Sequence, residues 1–235
     1  MKTLKHIVTE KLILNKSTKQ EYNYQPKDRS ELRELLQQLI EKRGKSADLN
    51  DIDTSQIVDM ENLFKDLDPH FIKISNWDVS NVKSMGWMFR DCKYFKCDLS
   101  NWDVSNVINM REMFANCSSF NSDLSEWDVS NVQTMSLMFY NCKEFNSDLS
   151  KWQTGKVITM REMFRNCKKF DCDLSKWDVS EVLNMMEMFE GSGFNHNIDS
   201  WQINPNNNLS WMFNRCPLSK LRSTLPTFYK EWMIS

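Results

Sequence analysis

The sequence predicts an α/β repeat protein: a stack of about seven 25-residue coils with short parallel strands, short helical or 3₁₀ segments and a cap at each end. Two observations carry that expectation. Tryptophans fall at 77, 102, 127, 152, 177 and 201, and phenylalanines follow at 89, 114, 139, 164, 189 and 213. Within each unit, apolar spacing then switches from steps of two to steps of three and four. One such unit is too small to bury a core alone, so near-copies in register must stack.

The elements follow in chain order. Residues 1–47 read as an N-terminal cap, 48–217 as the array and 218–235 as a C-terminal cap. Residues 1–24 alternate weakly through Ile7, Leu12 and Leu14, the pattern of a hairpin. A helix is expected over about 29–43, opened by the D-x-x-E pair Asp28 and Glu31 and closed by Gly44. Its apolar face is Leu32, Leu35, Leu36, Leu39 and Ile40, a lid for the first coil. Running the register backwards puts Ile52, Met60 and Phe64 in the tryptophan, methionine and phenylalanine places.

From Leu99 one unit reads L-x-x-W-x-V-x-x-V-x-x-M-x-x-M-F-x-x-C-x-x-F. L-x-x-W-x-V has the spacing of a leucine-rich-repeat strand, with Trp102 and Val104 on one face. After Asn106, the spacing of Val107, Met110, Met113, Phe114 and Cys117 reads as a short helical or 3₁₀ segment. Beyond the array, Leu218, Leu221, Leu225, Phe228 and Trp232 are expected to fold over the last coil, with Pro226 interrupting a helix.

The phrases "DLSNWDVSNV" with its following methionines, and "ADLNDIDTSQIVDMENLF", resemble the BspA-like leucine-rich-repeat family of bacterial surface proteins over residues 48–217. The resemblance implies a right-handed solenoid that recognises other macromolecules and has no family catalytic centre. Its adhesin members are exported. Here charged residues interrupt every apolar run of the opening stretch, which reads as neither a secretory signal nor a membrane span. The expected compartment is therefore the cytoplasm, with export to the cell surface as the alternative if an upstream signal was removed. In a cytoplasm the seven cysteines stay reduced.

A formal charge of −2 and a pI near 6.0 provide no global basic field for nucleic acid or anionic membrane. Neither do the recurring polar residues form an evident chemical centre. Cys92, Cys117, Cys142 and Cys167 occupy one column, and successive coils ~4.8 Å apart spread them along a line. Zinc needs ligands converging on a point, so these read as small buried residues. Cys97 and Cys172 replace serines and read as near-surface substitutions. Asp53, Asp78, Asp103, Asp128 and Asp178 recur after the aromatic place and read chiefly as turn formers. His6, His70 and His196 have no metal-ligand or triad spacing, and no phosphate-loop or nucleophile-elbow motif occurs. No catalytic residue, cofactor or metal set is expected.

Recognition is then expected where the repeat fails to repeat. On the side read as concave, Asp103, Glu126, Asp128, Lys176 and Asp178 form a largely acidic column. The coil "KWQTGKV" breaks it with Lys151, Gln153 and Lys156. On the outer side, Trp87 and Leu137 replace the Glu112, Glu162 and Glu187 of other coils, and Tyr94 and Tyr140 add aromatic variety. These twelve residues are the candidate partner-binding set: Trp87, Tyr94, Leu137, Tyr140, Asp103, Glu126, Asp128, Lys151, Gln153, Lys156, Lys176 and Asp178. The expected function is a non-enzymatic protein-binding module acting by docking or occlusion, in one version a phage- or mobile-element-encoded intracellular inhibitor of a host or defence protein. A surface adhesin and a carboxylate-dependent glycan-acting enzyme are the alternatives. Nucleic acid is the less favoured partner and no membrane is expected.

Overall fold

Aspartate followed two residues later by serine occurs twice in a typical coil, as at Asp98/Ser100 and Asp103/Ser105. In the computed structural model, which describes residues 22–220 and 222–234, each aspartate accepts the N–H of its serine at 3.0 Å. The bond closes an Asx turn and bends the backbone just where a strand was expected. Trp102 N–H returns to the Leu99 carbonyl at 3.1 Å, and Val107 N–H to the Val104 carbonyl at 2.9 Å. L-x-x-W-x-V-x-x-V is two consecutive turns.

The rest of the coil turns as well. Met113 N–H reaches the Met110 carbonyl and Cys117 N–H the Phe114 carbonyl, at 3.2 and 2.9 Å. Glu112 (φ 54°) and Asn116 (φ 64°) sit inside these turns in the left-handed region, as the third residue of a type II turn does. A left-handed residue every fourth position excludes both helix and 3₁₀. The expected α/β leucine-rich-repeat solenoid is therefore corrected. Among the described residues there is no sheet, and coils are joined by single-residue parallel bridges such as Ser84–Asn109–Thr134–Thr159. A turn every three to five residues leaves no run long enough to extend.

What replaces a sheet is a one-way ladder. The N–H groups of Met110, Glu112, Phe114 and Asn116 meet the carbonyls of Thr134, Ser136, Met138 and Tyr140 at 3.1, 2.9, 3.0 and 2.7 Å. The pattern recurs coil by coil to Met185, Glu187, Phe189 and Gly191, which meet Asn208, Ser210, Met212 and Asn214. Inside the ladder, Phe114, Phe139 and Phe164 stack with ring centroids 5.7 Å apart. Each buried tryptophan also finds an acceptor: Trp127 Nε1 donates to the Leu99 carbonyl of the preceding coil at 3.0 Å. The Cys117 thiol is buried and donates to the Phe89 carbonyl at 2.9 Å. Cys172 departs from its near-surface expectation. It is buried, and its sulphur accepts Leu149 N–H, taking the place that the Ser147 hydroxyl holds for Leu124 N–H.

The ends are closed differently. In α1 (Arg29–Arg43), Asp28 accepts Glu31 N–H at 3.0 Å, and Glu31 reaches back to Lys27 N–H at 2.9 Å. Leu32, Leu36, Leu39 and Ile40 are buried, and Gly44 (φ 84°) ends the helix by donating to the Ile40 carbonyl. Arg33 leaves α1 to donate to the carbonyls of Asn62, Leu63 and Lys65 at 2.8, 2.9 and 2.7 Å. At the far end, α2 (Thr227–Trp232) brings Tyr229 edge-on to Phe213, and Phe228 stacks on Trp201. Ile7, Leu12 and Leu14 of the expected hairpin, and Leu221 of the C-terminal segment, lie outside the described residues.

Candidate protein-docking faces

The repeating aspartates are exposed, and their carboxylates are committed to their own turns. Asp103, Asp128 and Asp178 each accept the N–H two residues on, at 3.0, 2.9 and 3.0 Å. The serine hydroxyl and N–H hold Asp128 and Asp178 below the ordinary carboxylate range. The N–H and hydroxyl of the following serine do the same for Asp98, Asp123, Asp148 and Asp173. A lowered folded-state pKa contributes stability above the unfolded value, and that stability is lost as pH falls through the folded value. Thermal midpoints are thus expected to hold from neutrality down to about pH 4, near the unfolded carboxylate value, and to fall below it. Glu187, pushed up by burial, titrates in the opposite sense but is one group against these six. A melting series that stays level to pH 3 refutes this account of the turns.

Two residues of "KWQTGKV" are fitted to the next coil. Thr154 is buried, and its hydroxyl donates to the Asp178 carbonyl at 2.7 Å, as Thr54 does to Asp78 at 2.8 Å. Gly155 leaves room for the Asp178 carboxylate, since a Cβ there would stand 3.0 Å from Oδ2. Lys151 pairs with Glu126 at 2.8 Å, and Lys156 donates to Asn131 at 2.7 Å. Glu126, Asp128, Lys151 and Gln153 do come together, lining a shallow recess of about 260 Å³. Lys176 lines a different recess, with Asp148 and Asp173.

On the other side, Trp87 and Leu137 are half-buried, in the same left-handed place as Glu112 and Glu162. Arg111 lies over the Trp87 ring, 5.2 Å from its centroid, and Arg165 over Tyr140 at 5.9 Å. Buried Glu112 is held by Arg90 and Arg111, and buried Glu162 by Arg161 and Arg165. Arg165 also pairs with Glu187 and Glu190. The column is thus a chain of paired charges between half-covered apolar groups. Tyr94 differs: it is well exposed, edge-on to His70.

A family model described as "Mycoplasma protein of unknown function, DUF285" matches residues 32–150 and again 122–225. The chain belongs to that family. The two matches overlap by about one coil, as expected of a model fitted to an internally repeated chain. No curated protein and no solved structure matches it. Among the described residues of this DUF285 protein, no helix is long and apolar enough to cross a membrane.

The DUF285 coils also carry a column missing from the candidate set. Val58, Ile108, Ile158 and Leu183 are between 41% and 58% exposed, all in the place directly after a buried core residue. Lys83 and Gln133 fill the places between them. The column is one continuous line, because Lys83, Ile108, Gln133, Ile158 and Leu183 each donate their N–H to the preceding member at 2.8–2.9 Å. At ~4.8 Å per coil it runs on the order of 24 Å. Lys156 stands two residues before Ile158, so one sequence-derived candidate flanks the stripe.

Proposed function

We propose that the chain is a non-enzymatic protein-binding module that acts by docking. The observation that carries this reading is the exposed column aligned coil by coil and apolar at four of its six places, Val58, Ile108, Ile158 and Leu183, with Lys83 and Gln133 between them. Asn106, which accepts from Lys83, and Asn131, which accepts from Lys156, form a polar margin beside it. An apolar centre with a polar rim is the general anatomy of a protein interface. The aspartates support the same reading over acid–base chemistry, since their lone pairs already serve the turns. Kinship with BspA-like surface proteins, inferred from the repeated phrases, is compatible with macromolecular recognition. Function then amounts to occlusion: the stripe covers a complementary apolar surface on a partner.

Affinity capture from a bacterial lysate tests the reading when run beside Ile108→Asp/Ile158→Asp/Leu183→Asp. Since all three residues are exposed, the variant is expected to keep its fold by circular dichroism. Its affinity for the captured protein should drop at least ~100-fold, the effect of losing one or two interface anchors. A variant that captures the same protein equally well rules the stripe out.

A further inference from the structure

Two outward rings of the array are covered by arginines. Arg111 lies over Trp87 with 5.2 Å to the ring centroid, and Arg165 over Tyr140 with 5.9 Å. In both cases the guanidinium comes from the coil that follows the ring. The N-terminal cap repeats the device, with Arg43 over Tyr24 at 5.7 Å. Trp211 stands in the same left-handed place as Trp87, with φ 61° against 57°. It belongs to the last coil of the array, and among the described residues no cation lies over its ring. Trp211 is 61% exposed, whereas Trp87 is half-buried.

Beside the ring lies a cavity of about 370 Å³ between the last coil and the C-terminal segment. Trp211, Tyr229 and Trp232 line it together with Asn214 and Ser219, and no charged side chain does. The Ser219 hydroxyl donates to the Cys216 carbonyl at 2.8 Å, and Asn214 Nδ2 donates to Glu190 at 2.8 Å. Both groups keep acceptor oxygens.

We propose that Trp211 binds an arginine side chain of a partner protein, whose guanidinium stacks on the indole and donates to the acceptors of the cavity. The guanidinium is planar, carries donors only and stacks on aromatic faces, as it does at Trp87 and Tyr140. An anion meets no cationic side chain in the cavity, and a purely apolar group leaves its oxygens unpaired. Charge favours a cation as well. In the two coils before Trp211, the carboxylates of Glu162, Glu187 and Glu190 share two guanidiniums, Arg161 and Arg165. That excess of one negative charge outweighs the unfilled N–H groups at the end of the ladder, which amount to about half a positive charge, as at a helix end. The chain's own arginines from Arg29 to Arg165 already hold carboxylates or carbonyls, which favours another protein over a second copy. Trp211 and the apolar stripe belong to different columns, so this site and the function proposed above fail separately.

The probe is N-acetyl-arginine amide, titrated into the full ¹⁵N-labelled protein while NMR follows the indole N–H signals. Trp211 is expected to shift with half-saturation on the order of 10 mM. Trp87, already covered by Arg111, is expected to stay in place. N-acetyl-citrulline amide, of the same shape without the charge, is expected to bind at least ~5-fold more weakly, the share of an exposed cation–π contact. Trp211→Leu, a residue that the same place holds at Leu137, is expected to remove the accompanying shifts of the Ser210 and Met212 amides. The proposal is overturned if Trp211 does not respond, if citrulline binds equally well, or if Trp87 moves as far. It is overturned too if only Arg215→Ala responds to the probe, since the ring then belongs to the chain's own arginine. Free arginine binding more tightly than the blocked amide assigns the site to the amino acid. A Trp211 shift that grows with protein concentration alone assigns it to a second copy, and either result refutes a partner protein.

Discussion

Replacing Phe139 with alanine is expected to destabilise the protein by about 3–5 kcal/mol, the range for removing a fully buried phenylalanine. Phe139 is completely buried, stacks on Phe114 and Phe164 at 5.7 Å and packs on Phe145 at 4.0 Å. The loss has a second component peculiar to stacked coils. Each coil bonds mainly to its two neighbours, so a cavity in the middle weakens the coupling between both halves. Urea unfolding followed by circular dichroism is expected to shift to lower denaturant and to broaden, because the halves separate before they melt. Phe64→Ala, in the first coil, removes a ring that stacks on Phe89 at 5.0 Å and should shift the transition with little broadening. Equal broadening in the two variants would show that the array does not behave as a chain of coupled units.

Arg33→Ala is the second large effect, expected at about 1.5–3 kcal/mol, typical of hydrogen bonds to a charged group. Its guanidinium serves three carbonyls at the open edge of the first coil, and a shorter side chain leaves those of Leu63 and Lys65 without a partner, while Asn62 keeps the Lys65 N–H. Arg33→Lys keeps the charge but not the planar fork, so it should recover only part of the loss. Thermal melts separate the outcomes, since ~1 kcal/mol moves the midpoint of a chain this long by about 2–4 °C. If the lysine variant melts with the native protein, charge rather than the fork closes the edge.

The register of the coils was legible because it is written six times over. Trp102, Met110, Phe114 and Cys117 keep their 25-residue spacing, and each is buried where that spacing puts it. The backbone conformation was less legible. A spacing of two between Trp102 and Val104 suits a strand, but it also suits adjacent turns that both face the core. Asp98/Ser100 and Asp103/Ser105 carried the deciding signal, since a side chain that captures its own backbone N–H competes with extension. The left-handed column through Asp91, Asn116, Asn141, Asn166 and Gly191 uses residue types that favour it. The companion column through Trp87, Glu112 and Leu137 does not, so nothing in its composition marks the turn. That hidden turn is why Trp87 and Leu137 read as exposed anchors and are half-covered. The apolar stripe escaped for another reason. Ile108 sits beside Val107, and only comparison across Val58, Ile158 and Leu183 shows that its place faces outward.

The shared direction of the ladder has an electrostatic consequence. Each junction aligns about four peptide dipoles along the stack, with fewer running backwards, much as successive peptides align along an α-helix. The stack therefore carries a negative pole under α1 and a positive pole at Trp211 and Phe213. Arg33 places a cation on the negative pole, so the N-terminal cap is a counter-charge as well as an apolar lid. Adding a coil lengthens this dipole without changing the partial charge at either end, so a longer array needs no stronger cap.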